Sequence, residues 1–514
     1  MTLSAGDYLL GALELAVIVG ALAFAAWRVR GILLPGWTGA PARLAECVLA
    51  VVALIWLAEL LGCFGLFEDV PMILGSLAVA GGAAFARSRL APSAEGTNSP
   101  PAPPASRAAW VCAAIGTAAV AAAWMVPTLQ ALAGGMDRAD TLWYHMPLAT
   151  RFVQTGDLTA IDHFDPIFFA AYYPANSEVL HAAGILAFGR DILSPLLNLG
   201  FLAVGLVASY CIGRPYGMGP HALIGGCIAL GSQQLVEFQA GEALNDITGV
   251  AFVLAAVAVL VNASAARDAT GGAQDHANAA ALAIAGLAAG VAAGTKLSFL
   301  APVLALAVGV AIIAKGGAKA RATAFAHFTI PAALAGGFWY LRNAIAMGNP
   351  IPFTTWGPLD LPMPARDFEL REPFSVAHYL TDWEVWDEWF FPGLDNSFGV
   401  LWPLVIAAFV GAGVYALWRG SSPLFRVLGG VVLFTAIAYL FTPLTAAGEE
   451  GRPIAFEWNV RYIAPAAAIG LAILPVLFRR RAQAVLVGLS VLAVATIASL
   501  VQWEQGHAKG AIAA

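Results

Sequence analysis

The chain has 514 residues, of which 60% are hydrophobic and only 11% are charged. A soluble domain carries about 25% charged residues, so a mean hydropathy of +0.77 over this length excludes a single water-soluble core and indicates a polytopic membrane protein. The net charge of −6 is spread without a basic stretch, which argues against nucleic acid as a partner.

Apolar stretches recur from the first residues to the last. Most approach the roughly 17–25 residues that a helix needs to cross a bilayer. We therefore predict an all-α polytopic membrane protein with about 14 transmembrane helices. The predicted spans are 7–27, 44–66, 70–86, 109–133, 191–213, 219–236, 246–262, 279–294, 297–314, 323–346, 398–418, 424–443, 461–478 and 482–502.

Polar segments divide these spans into regions. Five prolines among Ser, Thr and Asn follow the third span, a composition typical of a flexible linker. Two later polar segments are long and rich in acidic and aromatic residues. The predicted regions are a three-helix membrane region (1–87), a Pro-rich cytoplasmic linker (88–107), a membrane core (108–347) with an outer loop (134–190), a second long outer loop (348–397) and C-terminal membrane helices (398–514).

The basic residues predict the orientation, because cytoplasmic loops of membrane proteins are enriched in Lys and Arg. Sixteen of the 26 basic residues fall in loops that the predicted spans place on one side. We assign that side to the cytoplasm, which puts both termini and both long loops outside. These residues are Arg28, Arg30, Arg43, Arg87, Arg89, Arg107, Arg214, Arg267, Lys315, Lys319, Arg321, Arg419, Arg426, Arg479, Arg480 and Arg481.

Carboxylates gather at the outer ends of separate predicted helices. Asp140 precedes Leu-Trp-Tyr-His after the fourth span, Glu178 begins a short apolar segment, and Glu242 and Asp246 lie at the mouth of two spans. An Asp at the centre of a spanning helix costs about 2.5–3.5 kcal/mol and less near the interface. Acids from several helices on one face suggest a shared polar cavity, although solvated loop residues would give the same pattern.

Six stretches carry a family resemblance, in this order: DTLWYHMPLATRFVQTG, YYPANSEVLHAAG, EFQAGEALNDITGVAF, AGLAAGVAAGTKLSFLAPVLAL, FWYLRNAIAMGNPIPF and, more weakly, VRYIAPAAA. They span about residues 109–353 and 455–478. The pattern resembles GT-C fold glycosyltransferases that use polyprenyl-phosphate sugars, a group that includes protein mannosyltransferases and aminoarabinose transferases. The chain departs from that pattern in its three extra N-terminal spans, which puts the carry-over of acceptor specificity in doubt.

The resemblance implies a reaction and a set of roles. A sugar would pass from a polyprenyl-phosphate donor to a hydroxyl of a glycan, lipid or protein acceptor, on the outer face of a bacterial inner membrane. Asp140 matches the catalytic Asp of the family's first outer loop, with Asp137 as the fallback, and Asp246 or Glu242 matches a second acid that shapes the site. Basic residues at outer helix ends would hold the donor phosphate. The candidates for donor binding are Lys296, Arg342, Arg461, Tyr144, His145, Glu178, Glu242 and Asn343.

No organic cofactor is implied, and a divalent cation is left open because some relatives with this fold use one. Glu178 and His181 form an E-x-x-H pair, but a di-metal bundle needs a second copy and further Glu ligands. The five cysteines show no CxxC spacing, which favours neither a disulfide framework nor a metal site. Two other functions fit the composition. One is a transporter or lipid flippase, and the other is a non-catalytic assembly subunit with the same fold.

Overall fold

The computed structural model describes residues 4–90, 99–100, 102–161, 169–269, 275–352, 359–363 and 373–513. Parts of the predicted linker (91–98 and 101) and of the two long outer loops (162–168, 353–358 and 364–372) lie outside the described residues. The described residues form helices and turns without a β-strand, which confirms the all-α prediction.

Helices follow one another in chain order, joined mostly by short turns. One π-helical turn, Thr141–His145, lies between the fourth and fifth helices, and a second, Trp386–Phe390, precedes the sixteenth. The helices are α1 (Ala5–Leu33), α2 (Gly39–Gly62), α3 (Asp69–Arg89), α4 (Arg107–Gly134), α5 (Met146–Thr155), α6 (Asn176–Phe188), α7 (Ser194–Gly213), α8 (Gly219–Leu230), α9 (Gln233–Gln239), α10 (Asp246–Ala269), α11 (Asp275–Ala293), α12 (Leu300–Ile313), α13 (Ala318–Gly336), α14 (Phe338–Met347), α15 (Trp383–Val385), α16 (Phe391–Phe398), α17 (Trp402–Arg419), α18 (Pro423–Phe441), α19 (Phe456–Asn459), α20 (Ala464–Leu477) and α21 (Ala482–Ala513).

Ten helices in the described part of the chain are long and apolar enough to cross a membrane: α1 to α4, α7, α10, α17, α18, α20 and α21, some with their flanking turns. The predicted count of 14 is therefore not confirmed. Three of the other predicted spans coincide with shorter apolar helices, Gly219–Leu230, Ala279–Ala293 and Leu297–Ile313. The fourth, 323–346, falls on α13 and α14, which are separated at Gly337.

Close packing of α11 against α13 fixes the position of the residues that follow α11. Gly286, Gly290 and Gly294 recur every fourth residue, and a Cβ at any of them would collide with the backbone of α13. Small residues at this spacing let two helix backbones approach in lipid. Thr295 and Lys296 follow this contact, just beyond the end of α11.

The three N-terminal helices pack on the core and do not stand apart from it. A Cβ at Gly11 of α1 would collide with the carbonyl oxygen of Ala187 in α6. Trp56 of α2 donates a hydrogen bond from Nε1 to the carbonyl of Leu334 in α13, at 2.7 Å. These contacts place the N-terminal region against the helix that carries Glu178.

Candidate active site

Four charged side chains form a continuous chain at one end of the helix bundle. Arg461 Nη2 lies 3.3 Å from Asp140 Oδ2, and Arg461 Nε lies 3.1 Å from Asp246 Oδ2. Lys296 Nζ lies 2.6 Å from the other carboxylate oxygen of Asp246, Oδ1. We call these residues, Asp140, Arg461, Asp246 and Lys296, the four-charge chain. Its alternating charges sum to zero.

The members of the four-charge chain differ sharply in their exposure. The Asp246 and Arg461 side chains are 2% and 5% exposed, whereas those of Asp140 and Lys296 are 35% and 20% exposed. Both Asp246 oxygens are also engaged, since Gln239 Nε2 donates to Oδ2 at 2.9 Å. Asp140 is therefore the acid that an incoming molecule can reach, and Asp246 is the acid that holds the buried cations.

Each member of the chain comes from a helix end. Asp140 directly precedes the π-helical turn Thr141–His145, and Asp246 is the first residue of α10, where the helix dipole favours a negative charge. Lys296 follows α11, and Arg461 lies in the turn Val460–Ile463 that leads into α20. The contacts among these residues bring the four segments together at one end of the helix bundle.

Aromatic rings surround the two cations. Lys296 Nζ lies 4.4 Å from the centre of the Tyr462 ring. Arg461 Cζ lies 4.8 Å from the Phe238 ring and 5.4 Å from Tyr462. Such contacts stabilise a desolvated cation by about 2 kcal/mol or more.

The predicted second acid, Glu242, does not join the four-charge chain. Its Oε1 accepts a hydrogen bond from the backbone N–H of Asp137 at 3.0 Å. One residue further on, Ala243 N–H donates to Thr141 Oγ1 at 3.1 Å. Asn198 also holds the loop before α10, because its Nδ2 lies 2.9 Å from three carbonyl oxygens of that segment. Glu242 therefore ties the loop before α10 to the segment that carries Asp140.

Burial raises the pKa of Glu242 above its ordinary value, and its hydrogen bonds offset this only in part. A carboxyl group whose pKa is raised by folding stabilises the fold below its unfolded pKa and loses that contribution as pH rises through the folded pKa. Glu242→Gln keeps an acceptor for Asp137 and removes the charge. We expect the variant to melt at or above the wild-type temperature at pH 8. The difference in melting temperature, variant minus wild type, should be smaller at pH 5. Thermal unfolding in detergent at both pH values measures this; an equal difference at both would contradict it.

Arg342 and Asn343 hold the backbone of the first outer loop. Arg342 Nη2 donates to the carbonyl of Ala171 at 2.5 Å, and its guanidinium lies over the Trp339 ring at 4.9 Å. Asn343 Nδ2 donates to the carbonyl of Tyr172 at 2.8 Å. Both side chains are buried. In this structure they contact the turn at 170–172, so donor binding by these two residues stays a prediction.

Arg342→Ala separates a role in holding the outer loop from a role in donor binding. A hydrogen bond to a charged group contributes about 1.5–3 kcal/mol, so the variant should be less stable by about that amount. If Arg342 acts only through the loop, the donor KM should stay close to that of the wild type. Denaturant unfolding and donor-dependent kinetics on the same preparation measure the stability and the donor KM of the variant. A raised donor KM with unchanged stability would assign Arg342 to the donor phosphate.

His145, the last residue of the π-helical turn Thr141–His145, contacts Glu178. His145 Nδ1 and Glu178 Oε1 are hydrogen-bonded, and both residues are buried. Asn245 Nδ2 lies 3.4 Å from the same Glu178 oxygen and 3.0 Å from the carbonyl of Thr295. These three residues join the first outer loop, α6 and the loop before α10.

Sequence reasoning missed Gln239, Asn245, Phe238 and Tyr462 as members of the site. All four lie inside the stretches EFQAGEALNDITGVAF and VRYIAPAAA, beside residues that were selected for their charge. Among the described residues, no three His, Cys, Asp or Glu side chains are grouped so as to hold a metal ion. Comparison with protein-family models, with curated proteins and with solved structures finds no match for this chain.

Proposed function

We propose that this protein is a GT-C-type membrane glycosyltransferase that moves a sugar from a polyprenyl-phosphate carrier to an acceptor hydroxyl. The observation that carries the proposal is the contact between Asp140 and Arg461, backed by Asp246 and Lys296. It sets an accessible carboxylate beside a buried cation at the ends of apolar helices. A base and a phosphate-binding group are the two parts that this reaction requires.

Asp140 acts as the base in this proposal. The acceptor oxygen bonds to the anomeric carbon as the bond from that carbon to the phosphate oxygen breaks, and Asp140 takes the acceptor proton. A single displacement from the opposite face inverts the anomeric centre. The phosphate leaves as an anion, so the general acid that glycosidases use is less necessary.

Arg461 and Lys296 meet the charge that develops on the leaving phosphate. Preorganised donors directed at such a charge lower the barrier without reorganising during the reaction, and a guanidinium binds phosphate oxygens through two parallel hydrogen bonds. Asp246 keeps both cations in place while the site is empty of donor. Its role in the proposal is to fix them, since both of its oxygens are already engaged.

The distribution of basic loops supports an outward-facing site. Positive loops mark the cytoplasmic side, and the four-charge chain lies at the opposite helix ends. In this orientation the polyprenyl tail of the donor lies in the lipid beside the helices while its phosphate reaches the site. We place the protein in a bacterial inner membrane with the site facing the periplasm.

The test uses the full-length protein in lipid nanodiscs with a panel of polyprenyl-phosphate sugars. We expect one or more donors to be consumed, with release of polyprenyl phosphate. A soluble hydroxyl acceptor or water would take the sugar. Movement of an intact lipid-linked sugar across vesicles without consumption would instead establish the flippase alternative. If the protein shows neither donor consumption nor donor transport with any donor, the assembly-subunit alternative is favoured.

A further inference from the structure

A buried pair behind the four-charge chain has no role in the reaction described above. Glu178 and His145 are both about 2% exposed, and Glu178 Oε1 and His145 Nδ1 are hydrogen-bonded. This contact fixes the plane of the His145 ring.

The position of Glu178 is fixed by hydrogen bonds at the start of α6. Glu178 lies in the first turn of α6, whose first residue, Asn176, is held by hydrogen bonds to three other helices or their ends. Asn176 N–H donates to the carbonyl of Gly294 at 2.9 Å, and its Nδ2 donates to Ala335 at 2.9 Å. Trp339 Nε1 donates to Asn176 Oδ1 at 2.8 Å. The position of Glu178 is thus set by α11, α13 and α14.

The fixed imidazole in turn supports Tyr144. The rings of Tyr144 and His145 lie 4.2 Å apart, centre to centre, and Tyr173 meets Tyr144 edge-on at 5.7 Å. Asp140 and Tyr144 are four residues apart in helical backbone, so they lie on one face. His145 lies against Tyr144 in the π-helical turn, and π-helical turns of this kind recur at functional sites.

We propose that Glu178 and His145 are positioning residues that hold Tyr144, and with it the Asp140 carboxylate, in reacting geometry. The proposal rests on the function proposed above. A misplacement of about 1 Å lowers the rate of a positioned reaction by as much as about 10²-fold. Removal of the pair should therefore lower kcat and leave the donor KM nearly unchanged, because the cations that meet the phosphate keep their own partners.

Matched substitutions test the hydrogen bond and the packing separately. Glu178→Leu and His145→Phe remove the bond, and His145→Phe keeps a ring against Tyr144. Glu178→Gln keeps an oxygen for the bond to His145 Nδ1. We expect Glu178→Leu and His145→Phe to lower kcat about tenfold to a hundredfold, with Glu178→Gln retaining most of it. Equal loss in Glu178→Leu and Glu178→Gln, or a loss confined to the donor KM, would overturn the proposal.

A spectroscopic measurement separates this proposal from the glycosyltransferase assignment. A 3-fluorotyrosine at position 144 reports its surroundings by ¹⁹F NMR without any reaction. Glu178→Leu should move that resonance and Glu178→Gln should not, while a fluorotyrosine at position 415 serves as the distant control. An unmoved resonance in Glu178→Leu refutes the positioning role. A moved resonance in a protein that consumes no donor leaves the positioning of Tyr144 standing and refutes the proposed function instead.

Discussion

Asp140→Asn should lower kcat for sugar transfer by about 10²–10⁴-fold, the range that positioned general bases contribute. The substitution keeps the shape of the side chain and an oxygen that can accept from Arg461 at the present 3.3 Å separation. Donor binding and thermal stability should therefore change little. The measurement is single-turnover transfer with saturating donor, which isolates the chemical step from donor binding.

Asp137→Asn is the matched control for this result. Asp137 lies three residues before Asp140, in the same loop, and its backbone N–H donates to Glu242. Its side chain is outside the four-charge chain, so the variant should transfer at nearly the wild-type rate. Wild-type transfer by Asp140→Asn together with loss in Asp137→Asn would move the base to Asp137, the fallback that the sequence also allows.

Asp246→Asn should be the most destabilising single change at the site. It removes the anion between Lys296 and Arg461, which leaves two neighbouring cations with one partly exposed carboxylate. Breaking a buried ion pair by removing one partner typically costs about 3–5 kcal/mol. Reversible unfolding in mixed micelles measures the free energy directly. A cost of less than about 1 kcal/mol would show that the four-charge chain does not stabilise the fold.

The double variant Asp246→Asn/Lys296→Met separates the charge effect from lost packing. It removes one acid and one base, so Arg461 retains Asp140 as its partner and the sum of charges is again zero. We expect it to regain part of the stability lost in Asp246→Asn, with a coupling energy of about 0.5–3 kcal/mol. Simple addition of the two single effects would argue against direct coupling between Asp246 and Lys296.

The site was partly predictable because alternation across a bilayer is a strong constraint. The four residues of the four-charge chain are widely separated in sequence, and Asp140 and Arg461 are 321 positions apart. Their places at helix ends nevertheless predict a common face. Side-chain direction was not predictable in this way. Arg342 satisfies the same positional rule, but it turns to the carbonyl of Ala171, a choice that depends on the folded path of the outer loop.

The predicted helix count is not confirmed where apolar sequence is interrupted by small residues. The span predicted at 219–236 divides at Gly231 and Ser232 into α8 and α9. A hydropathy window averages over such a break, since Gly and Ser cost little on a transfer scale. The break matters for the site, because α9 ends at Gln239, which donates to Asp246. Partners of this polar kind are invisible to a search for charges.

The contact between Arg461 and Asp140 joins residues 321 positions apart, and this separation has a consequence for biosynthesis. At about 5–20 residues per second, roughly 15–60 s pass between synthesis of the acid and synthesis of its partner. Asp246 and Lys296 are only 50 positions apart and can pair well before then. The four-charge chain is therefore completed late in synthesis, and a nascent chain that stalls before Arg461 carries Asp140 without this partner.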